Sequence, residues 1–271
     1  MSVNRKPFLK IAIAPLDIVF GERSANLTNV EAIIKNLDED VDILVLPELF
    51  STGFKKDAET MASLSEPTDG ATVSRLKELS DSFDIAICGS FVCNENNDVF
   101  NRSFFIKPDG TAHYYDKHHL FTMGGEQNIF NAGKELPEVI DFKGWKIMPV
   151  ICYDIRFPAW LRNHNLKYDV LIVPANWAHS RAYAWIHLLI ARAIENQTYV
   201  IGCNRSGSDE YGEYPAEDSF AFNYWGKDIS VRPDSGIIYC ILDGERMDID
   251  RNKFSPWLDA DSFTFTKSQE V

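Results

Sequence analysis

The chain has 271 residues, of which 45% are hydrophobic, and its formal net charge is −13. The length fits one large domain or two small ones, and the hydrophobic fraction suffices for a sizeable core. The acidic balance disfavours partners such as nucleic acid and anionic membrane surfaces, which would repel the protein, and no run of about 18 apolar residues predicts a transmembrane helix.

Apolar runs and helical patterns alternate along the chain. The predicted strands cover 9–16, 41–50, 84–92, 99–107, 111–115, 145–152, 169–175, 198–204, 219–226 and 236–242. The predicted helices cover 24–37, 69–83 and 181–197. Hairpins mixed with alternating units favour an α/β protein with two packed sheets covered by helices. Because no linker or repeat interrupts the pattern, we expect a single domain over residues 1–271.

The compartment is inferred from the N-terminus and the cysteines. Pro7 and Lys10 interrupt the first apolar run, and no small-residue cleavage site follows, so a signal peptide is not expected. The five cysteines are odd in number and widely spaced, which argues against a disulfide framework. We therefore expect a cytoplasmic protein.

Polar side chains stand at the ends of the apolar runs of three predicted strands. Glu48 comes after the run "ILVLP", Cys152 after "KIMPVI" and Asn176 after "LIVPA". The carboxyl ends of strands in α/β sheets face the crevice in which ligands bind. The sequence therefore predicts a functional site at these strand ends.

Cys152 is a candidate nucleophile. A cysteine acts as a thiolate, and a strand-to-helix turn would expose the sulfur and leave the backbone N–H of Tyr153 free to bind an oxyanion. The alternative is a structural cysteine, because free cysteines are among the most buried residues.

Two charged residues could support such a nucleophile. Glu48 is flanked by Leu49 and Phe50, and a carboxylate in apolar surroundings has a raised pKa that suits a general base. Lys117, in "YYDKHHLF", could neutralise an oxyanion and favour a nearby thiolate. Taken singly, a solvated glutamate and an exposed lysine remain the alternatives.

Metal and cofactor motifs are absent from the sequence. His118 and His119 are adjacent, so in an extended segment they point to opposite sides, and no C-x-x-C or H-E-x-x-H pattern accompanies them. Neither a phosphate-binding glycine loop nor a G-x-S-x-G elbow occurs. We expect neither a metal nor a cofactor.

Three stretches together resemble the nitrilase superfamily of carbon–nitrogen hydrolases. These are "LVLPELFSTGF", "YYDKHHLF" and "VICYDIRFPAW", and the likeness extends over nearly the whole chain. The resemblance implies a four-layer α-β-β-α sandwich and a catalytic triad of Glu48, Lys117 and Cys152. It also implies that a second glutamate, Glu126, helps to position the substrate and Lys117.

Within the superfamily, "CYDIRFP" and "DKHHLFTMGGEQNIFNAG" look closest to bacterial omega-amidase-like amidohydrolases. This implies a small-molecule amide substrate, such as 2-oxoglutaramate or a similar dicarboxylic monoamide, hydrolysed through a cysteine thioester with release of ammonia. The alternatives are an N-carbamoyl amino acid amidohydrolase or another aliphatic amidase, and, from a different class, a catalytically silent interaction protein.

We expect the substrate pocket to include residues that follow Lys117 and residues that follow the predicted strand "LIVPA". The candidates are Phe121, Met123, Asn176, Trp177 and Arg181. Arginine is the natural bidentate partner of a substrate carboxylate, and Arg181 is the candidate.

Two further expectations concern residues outside the triad. We expect Arg156 to be a structural ion-pair partner near the Cys152 turn. The resemblance also implies a homodimer, to which the aromatic tail at 254–271 would contribute.

Overall fold

The computed structural model describes residues 5–265, and two β-sheets lie at its centre. The strands are β1 (Phe8–Ile13), β2 (Ile43–Val45), β3 (Ala86–Glu95), β4 (Asp98–Ile106), β5 (Ala112–Asp116), β6 (Ile140–Phe142), β7 (Trp145–Pro149), β8 (Val170–Ala175), β9 (Tyr199–Asn204), β10 (Gly207–Asp209), β11 (Gly212–Tyr214), β12 (Phe220–Phe222) and β13 (Ile238–Asp243). The α-helices are α1 (Arg23–Lys35), α2 (Ala58–Ser63), α3 (Ala71–Phe83), α4 (Ala182–Asn196) and α5 (Gly244–Lys253).

The first sheet has six strands in the order β13-β1-β2-β3-β4-β5, and the second has five in the order β12-β9-β8-β7-β6. Strands β1, β2 and β3 run parallel, as do β7, β8 and β9. The predicted hairpin is present as β3 and β4, joined at Asn96 and Asn97. Both asparagines have positive φ, 54° and 71°. This is the backbone that a tight two-residue hairpin turn requires.

Side chains that alternate along the strands divide the core into layers. Ile11 and Ile13 of β1 belong to the apolar core between the two sheets, which also contains Ile172 of β8. Ala12, between the two isoleucines, instead belongs to the core beneath α1 and α3. Helix α4 covers the outer face of the second sheet through Trp185 and its neighbours. The result is the four-layer α-β-β-α sandwich that the resemblance implied.

A glycine allows α4 to approach the second sheet closely. A Cβ atom at Gly202 of β9 would lie 2.7 Å from a methyl carbon of Leu189 and 2.8 Å from the Trp185 ring. Both side chains are fully buried, and burial of each contributes roughly 1.5–3 kcal/mol. The contact fixes α4 against the strand that neighbours β8.

Residues 5–265 include no helix that is long and apolar enough to cross a bilayer. In the C-terminal tail, the Phe265 ring lies 5.2 Å from that of Trp160. The part of the predicted dimer segment at 266–271 lies outside the described residues.

The sheet topology brings the carboxyl ends of strands from both sheets to one edge. Strand β2 belongs to the first sheet, whereas β7 and β8 belong to the second. The Glu48 N–H, just beyond β2, donates to the carbonyl oxygen of Ala175 at the end of β8, at 3.4 Å. This edge carries the polar residues that the sequence predicted.

Candidate active site

Glu48, Lys117 and Cys152 come together although they follow strands far apart in sequence. Glu48 follows β2, Lys117 follows β5, and Cys152 opens a short 3₁₀ turn after β7. All three are buried, with relative exposures of 2%, 1% and 6%. Buried ionisable groups normally need partners, because desolvation penalises a charge.

Lys117 lies between two carboxylates. Its Nζ atom is 2.7 Å from Glu48 Oε1 and 2.8 Å from Glu126 Oε1. Burial works against the charged amine, but Glu126 and Glu48 outweigh it and raise the Lys117 pKa well above its ordinary value. Burial, reinforced by Glu48, raises the pKa of Glu126 despite the opposing effect of Lys117. The site therefore holds a permanent ammonium in a water-poor environment.

The Glu48 carboxylate is oriented by two further donors. Asn101 Nδ2 donates to Oε1 at 2.8 Å, and the backbone N–H of Asn176 donates to Oε2 at 2.9 Å. Asn101 lies on β4 and is completely buried. Sequence reasoning missed it, although a polar side chain within the strand-like run "VFNRSFFIK" is a signal that could have found it.

Cys152 opens a turn rather than an α-helix. The 3₁₀ turn covers Cys152–Arg156, and Cys152 itself has a φ of 42°. Non-glycine residues in this left-handed region are uncommon and cluster at functional sites. Within residues 5–265, the N–H of Tyr153 has no backbone or side-chain acceptor among the hydrogen bonds around this turn, so it is available to a ligand.

The surroundings of Cys152 favour a neutral thiol. Burial and the nearby Glu48 carboxylate hold the pKa of Cys152 well above its ordinary value, although Lys117 and the Asn176 backbone amide lower it in part. A thiol in this state needs a base to remove its proton before it can act as a nucleophile. The charge of Glu48 acts on the proton of the Cys152 thiol. Glu48 Oε1 contacts the Lys117 ammonium, whereas Oε2 accepts the backbone N–H of Asn176.

A cavity of about 380 Å³ opens above this cluster. Its lining residues are Glu48, Leu49, Phe54, Lys56, Phe121, Met123, Gly124, Glu126, Asn176, Ala178, Arg181, Glu210, Tyr211 and Tyr214. A narrow recess continues from it, shares four of its lining residues, and reaches Cys152 and Tyr153. The volume is in the range of pockets for small molecules.

All five predicted pocket residues border this space, but in different ways. Phe121, Asn176 and Arg181 line both the cavity and the recess, and Trp177 lines the recess only. Met123 lines the cavity mouth, where it is 87% exposed.

The expectation for Arg156 is wrong. No carboxylate lies within 4.0 Å of its guanidinium among the ion pairs of residues 5–265, and the side chain lines the recess. Its guanidinium carbon lies over the rings of Trp177 and Tyr153, at 4.9 and 5.7 Å from the centroids. Sequence adjacency to the turn suggested an ion pair, whereas the packing of two aromatic rings directs the side chain toward the cavity.

The adjacent histidines take part in packing. His118 stacks on Trp160 with ring centroids 3.8 Å apart, and His119 stacks on Phe157 at 3.6 Å. Over the part of the chain that the structure describes, no group of three or more His, Cys, Asp or Glu side chains is arranged to hold a metal ion.

Comparisons with known proteins agree with this architecture. Residues 10–247 match the Carbon-nitrogen hydrolase family. The chain is 36% identical to the omega-amidase YafV of Yersinia enterocolitica, over 94% of this chain and 98% of that protein. It is also 36% identical to the 2-oxoglutaramate amidase of Bacillus subtilis, over 80% and 83% of the respective chains.

A solved structure is similar over almost the same extent. XC1258 from Xanthomonas campestris, a CN-hydrolase superfamily protein with an arsenic adduct in its active site, superimposes with a TM-score of 0.89. It is 33% identical, and the match covers 96% of this chain and 99% of that one. Fold and sequence thus define a hydrolase built on an α-β-β-α sandwich, and the chain belongs to the carbon–nitrogen hydrolase family.

The contact between Asn101 and Glu48 generates a prediction. Asn101→Ala removes one of the donors to Glu48 Oε1, while Lys117 and the Asn176 N–H stay in place. Because a hydrogen bond to a charged group contributes roughly 1.5–3 kcal/mol, we expect hydrolytic turnover to fall about 10–100-fold. Steady-state kinetics on the folded variant measure this.

Asn163→Ala is the matched control, because Asn163 is equally buried but bonds to Tyr168 and Asn196, outside the cavity lining. It should lower thermal stability and leave turnover per folded molecule nearly unchanged. Equal turnover in the Asn101 variant and the wild type would contradict the role assigned to Asn101.

Proposed function

We propose that this enzyme is an amidase of the omega-amidase type, which hydrolyses the terminal carboxamide of a small dicarboxylic monoamide such as 2-oxoglutaramate. The observation that carries the proposal is the contact of Lys117 with Glu48 and Glu126 beside Cys152, at the bottom of a cavity. The names of the relatives from Yersinia enterocolitica and Bacillus subtilis support the same substrate class.

Acylation begins with proton transfer from the Cys152 thiol to Glu48. The sulfur then attacks the amide carbon, a C–S bond forms, and the carbonyl electron pair moves onto oxygen. The Lys117 ammonium and the free N–H of Tyr153 stabilise this oxyanion. Glu48 returns the proton to the amide nitrogen, the C–N bond breaks, and ammonia leaves. A thioester remains on Cys152.

Deacylation uses the same groups in reverse. Glu48 takes a proton from water, and the hydroxide attacks the thioester carbon to form a second oxyanion at the same donors. The C–S bond then breaks, the carboxylic acid product leaves, and the sulfur recovers its proton from Glu48. Glu126 keeps Lys117 in place through its contact at 2.8 Å. Protein side chains supply nucleophile, base and charge stabilisation, so the mechanism calls for no cofactor.

The distal carboxylate of such a substrate needs cationic partners in the cavity. Arg156 and Arg181 both line the recess, and each is stacked on an aromatic ring, Trp177 and Phe121 respectively. Neither belongs to an ion pair among residues 5–265, so their donors are available to a ligand. Guanidinium groups bind carboxylates in a bidentate manner. We assign substrate-carboxylate binding to this pair.

We also propose that the chain acts as one domain in the cytoplasm and pairs as a homodimer. The cysteines of residues 5–265 are all free, as expected in a reducing compartment. Exposed apolar side chains lie on α4 and in the C-terminal tail after α5, among them Ile194, Phe254 and Leu258, at 51%, 56% and 66% exposure. Contiguous exposed apolar surface is typical of protein interfaces.

The amidase assignment predicts a specific activity profile. Ammonia release should be fastest with 2-oxoglutaramate or succinamate, and slower with glutamine, asparagine, N-carbamoyl amino acids and a simple nitrile. Cys152→Ala should lose about 10³-fold or more in turnover, because no thioester can form. Faster turnover of carbamoyl compounds or the nitrile would reject the omega-amidase assignment, and an active alanine variant would reject the mechanism.

If Arg156 and Arg181 bind the substrate carboxylate, their substitution should affect the hydrolysis of an acidic amide but not that of an uncharged amide. Arg156→Gln and Arg181→Gln should each raise KM for the monoamide acid about 10–100-fold, the expected effect of losing a charge-assisted contact. An uncharged aliphatic amide of equal length should be hydrolysed as before. Lys56→Gln is the control, because Lys56 is another cation of the same cavity but does not line the recess. Equal effects on both substrates would contradict the assignment.

The dimer proposal predicts a concentration-dependent mass in sedimentation equilibrium. Ile194→Asp, which places a charge on the exposed apolar surface of α4, should shift the protein toward the monomer. Ile249→Asp is the control, since Ile249 is comparably exposed, at 49%, but lies on α5. A wild-type protein that stays monomeric at all concentrations would overturn the proposal.

A further inference from the structure

Asp154 is a completely buried carboxylate that accepts four hydrogen bonds. Its Oδ1 atom accepts the backbone N–H of His119 at 3.0 Å and lies 2.8 Å from His119 Nδ1. Its Oδ2 atom accepts the backbone N–H of Ile151 at 3.1 Å and the hydroxyl of Tyr115 at 3.0 Å. No lysine or arginine within residues 5–265 forms an ion pair with it. Burial removes the hydration of a carboxylate at a large cost in free energy, so the four hydrogen-bond donors must compensate for this loss.

The positions of these donors connect two of the proposed catalytic groups. Ile151 directly precedes Cys152, whereas Tyr115 and His119 lie two residues before and two residues after Lys117. The Lys117 segment leaves the first sheet and the Cys152 turn leaves the second. One side chain therefore joins the backbone of the ammonium segment to the backbone of the nucleophile turn.

The donors are themselves held by packing. The Tyr115 hydroxyl also accepts the backbone N–H of His118 at 3.2 Å and the Trp160 indole N–H at 3.1 Å. The His119 ring stacks on Phe157, which ends the Cys152 turn. When packing holds the donor and the acceptor in one orientation, the hydrogen bond between them fixes the relative position of the two segments that carry them.

We propose that Asp154 is a positioning residue that sets the location of the Lys117 ammonium relative to the Cys152 sulfur. The inference rests on the roles proposed above for Lys117 and Cys152. Asp154 itself lines neither the cavity nor the recess, so it acts through the segments that it joins. Placement matters because an oxyanion donor acts only within hydrogen-bond distance of the developing charge.

Asparagine cannot replace this carboxylate. Each oxygen of Asp154 accepts one backbone N–H, from His119 or from Ile151, and a backbone N–H cannot become an acceptor. In Asp154→Asn, the amide NH₂ must face one of these two donors in either orientation. One side of the connection therefore loses its hydrogen bond and moves away, although the side-chain volume is unchanged.

The test compares Asp154→Asn with the wild type, using the amide that the wild type hydrolyses fastest. We expect kcat to fall about 10–100-fold while KM stays within about threefold, because the cavity wall is intact. The rate of Cys152 alkylation by iodoacetamide at pH 8, assigned by peptide mass spectrometry, should fall about 3–10-fold. The cause is that a displaced ammonium favours the thiolate less.

Asp250→Asn is the matched control. Asp250 is also a buried carboxylate that accepts a tyrosine hydroxyl, from Tyr224, but it lies on α5 and outside the cavity lining. It should lower the melting temperature without changing kcat or the alkylation rate. If Asp154→Asn behaves in the same way as this control, Asp154 has a purely structural role and the proposal is wrong.

Tyr115→Phe provides a second test that removes only one donor. Tyr115→Phe should lower kcat about 3–10-fold at constant KM. If Asp154→Asn does not fold, an unchanged kcat in Tyr115→Phe would contradict the proposal. The alkylation rate also separates this inference from the proposed function. If 2-oxoglutaramate proves not to be a substrate, alkylation still reports whether Asp154 controls the environment of the sulfur.

Discussion

The site depends on the placement of one buried ammonium between two carboxylates. Lys117 is 1% exposed, and an unpaired ammonium at that depth would lose its proton or unfold the site. Glu48 and Glu126, each within 2.8 Å, keep it charged. The same pairing orients Glu48, so a single electrostatic arrangement positions both the proposed base and the proposed oxyanion partner. Cys152 lies beside these three groups, and burial together with the nearby carboxylates raises its pKa well above its ordinary value.

The sandwich supplies the geometry that this arrangement needs. Two sheets packed face to face bring strand ends from both to one edge, and each catalytic candidate follows a different strand. A contact between Glu48 and Ala175 joins the sheets there, and the four hydrogen bonds of Asp154 join them again behind the nucleophile turn. A closely packed core of large side chains thus holds the candidate residues at fixed distances from one another.

The cavity combines charge with aromatic surface. Phe121 and Trp177 each lie beneath an arginine, which keeps the guanidinium groups extended toward the recess. A protein with a net charge of −13 thus places two guanidinium groups at the recess. For the proposed monoamide acid, the distance between these arginines and the Cys152 sulfur would set the length of the substrate that reaches both.

The sequence by itself determined the fold class, the hairpin and most strand and helix positions, because apolar periodicity and turn residues are local signals. It also pointed to Glu48, Cys152 and Asn176 as polar residues at strand ends and to Lys117 as a candidate cation, and the resemblance added Glu126. Only the tertiary structure decided which side chains touch. The hydrogen bond from Asn101 to Glu48 and the bridging by Asp154 join residues 35 to 53 positions apart in the sequence. The direction of Arg156 toward the cavity depends on rings packed from other elements. No local pattern encodes such contacts, because they form only when the fold brings strands distant in sequence together.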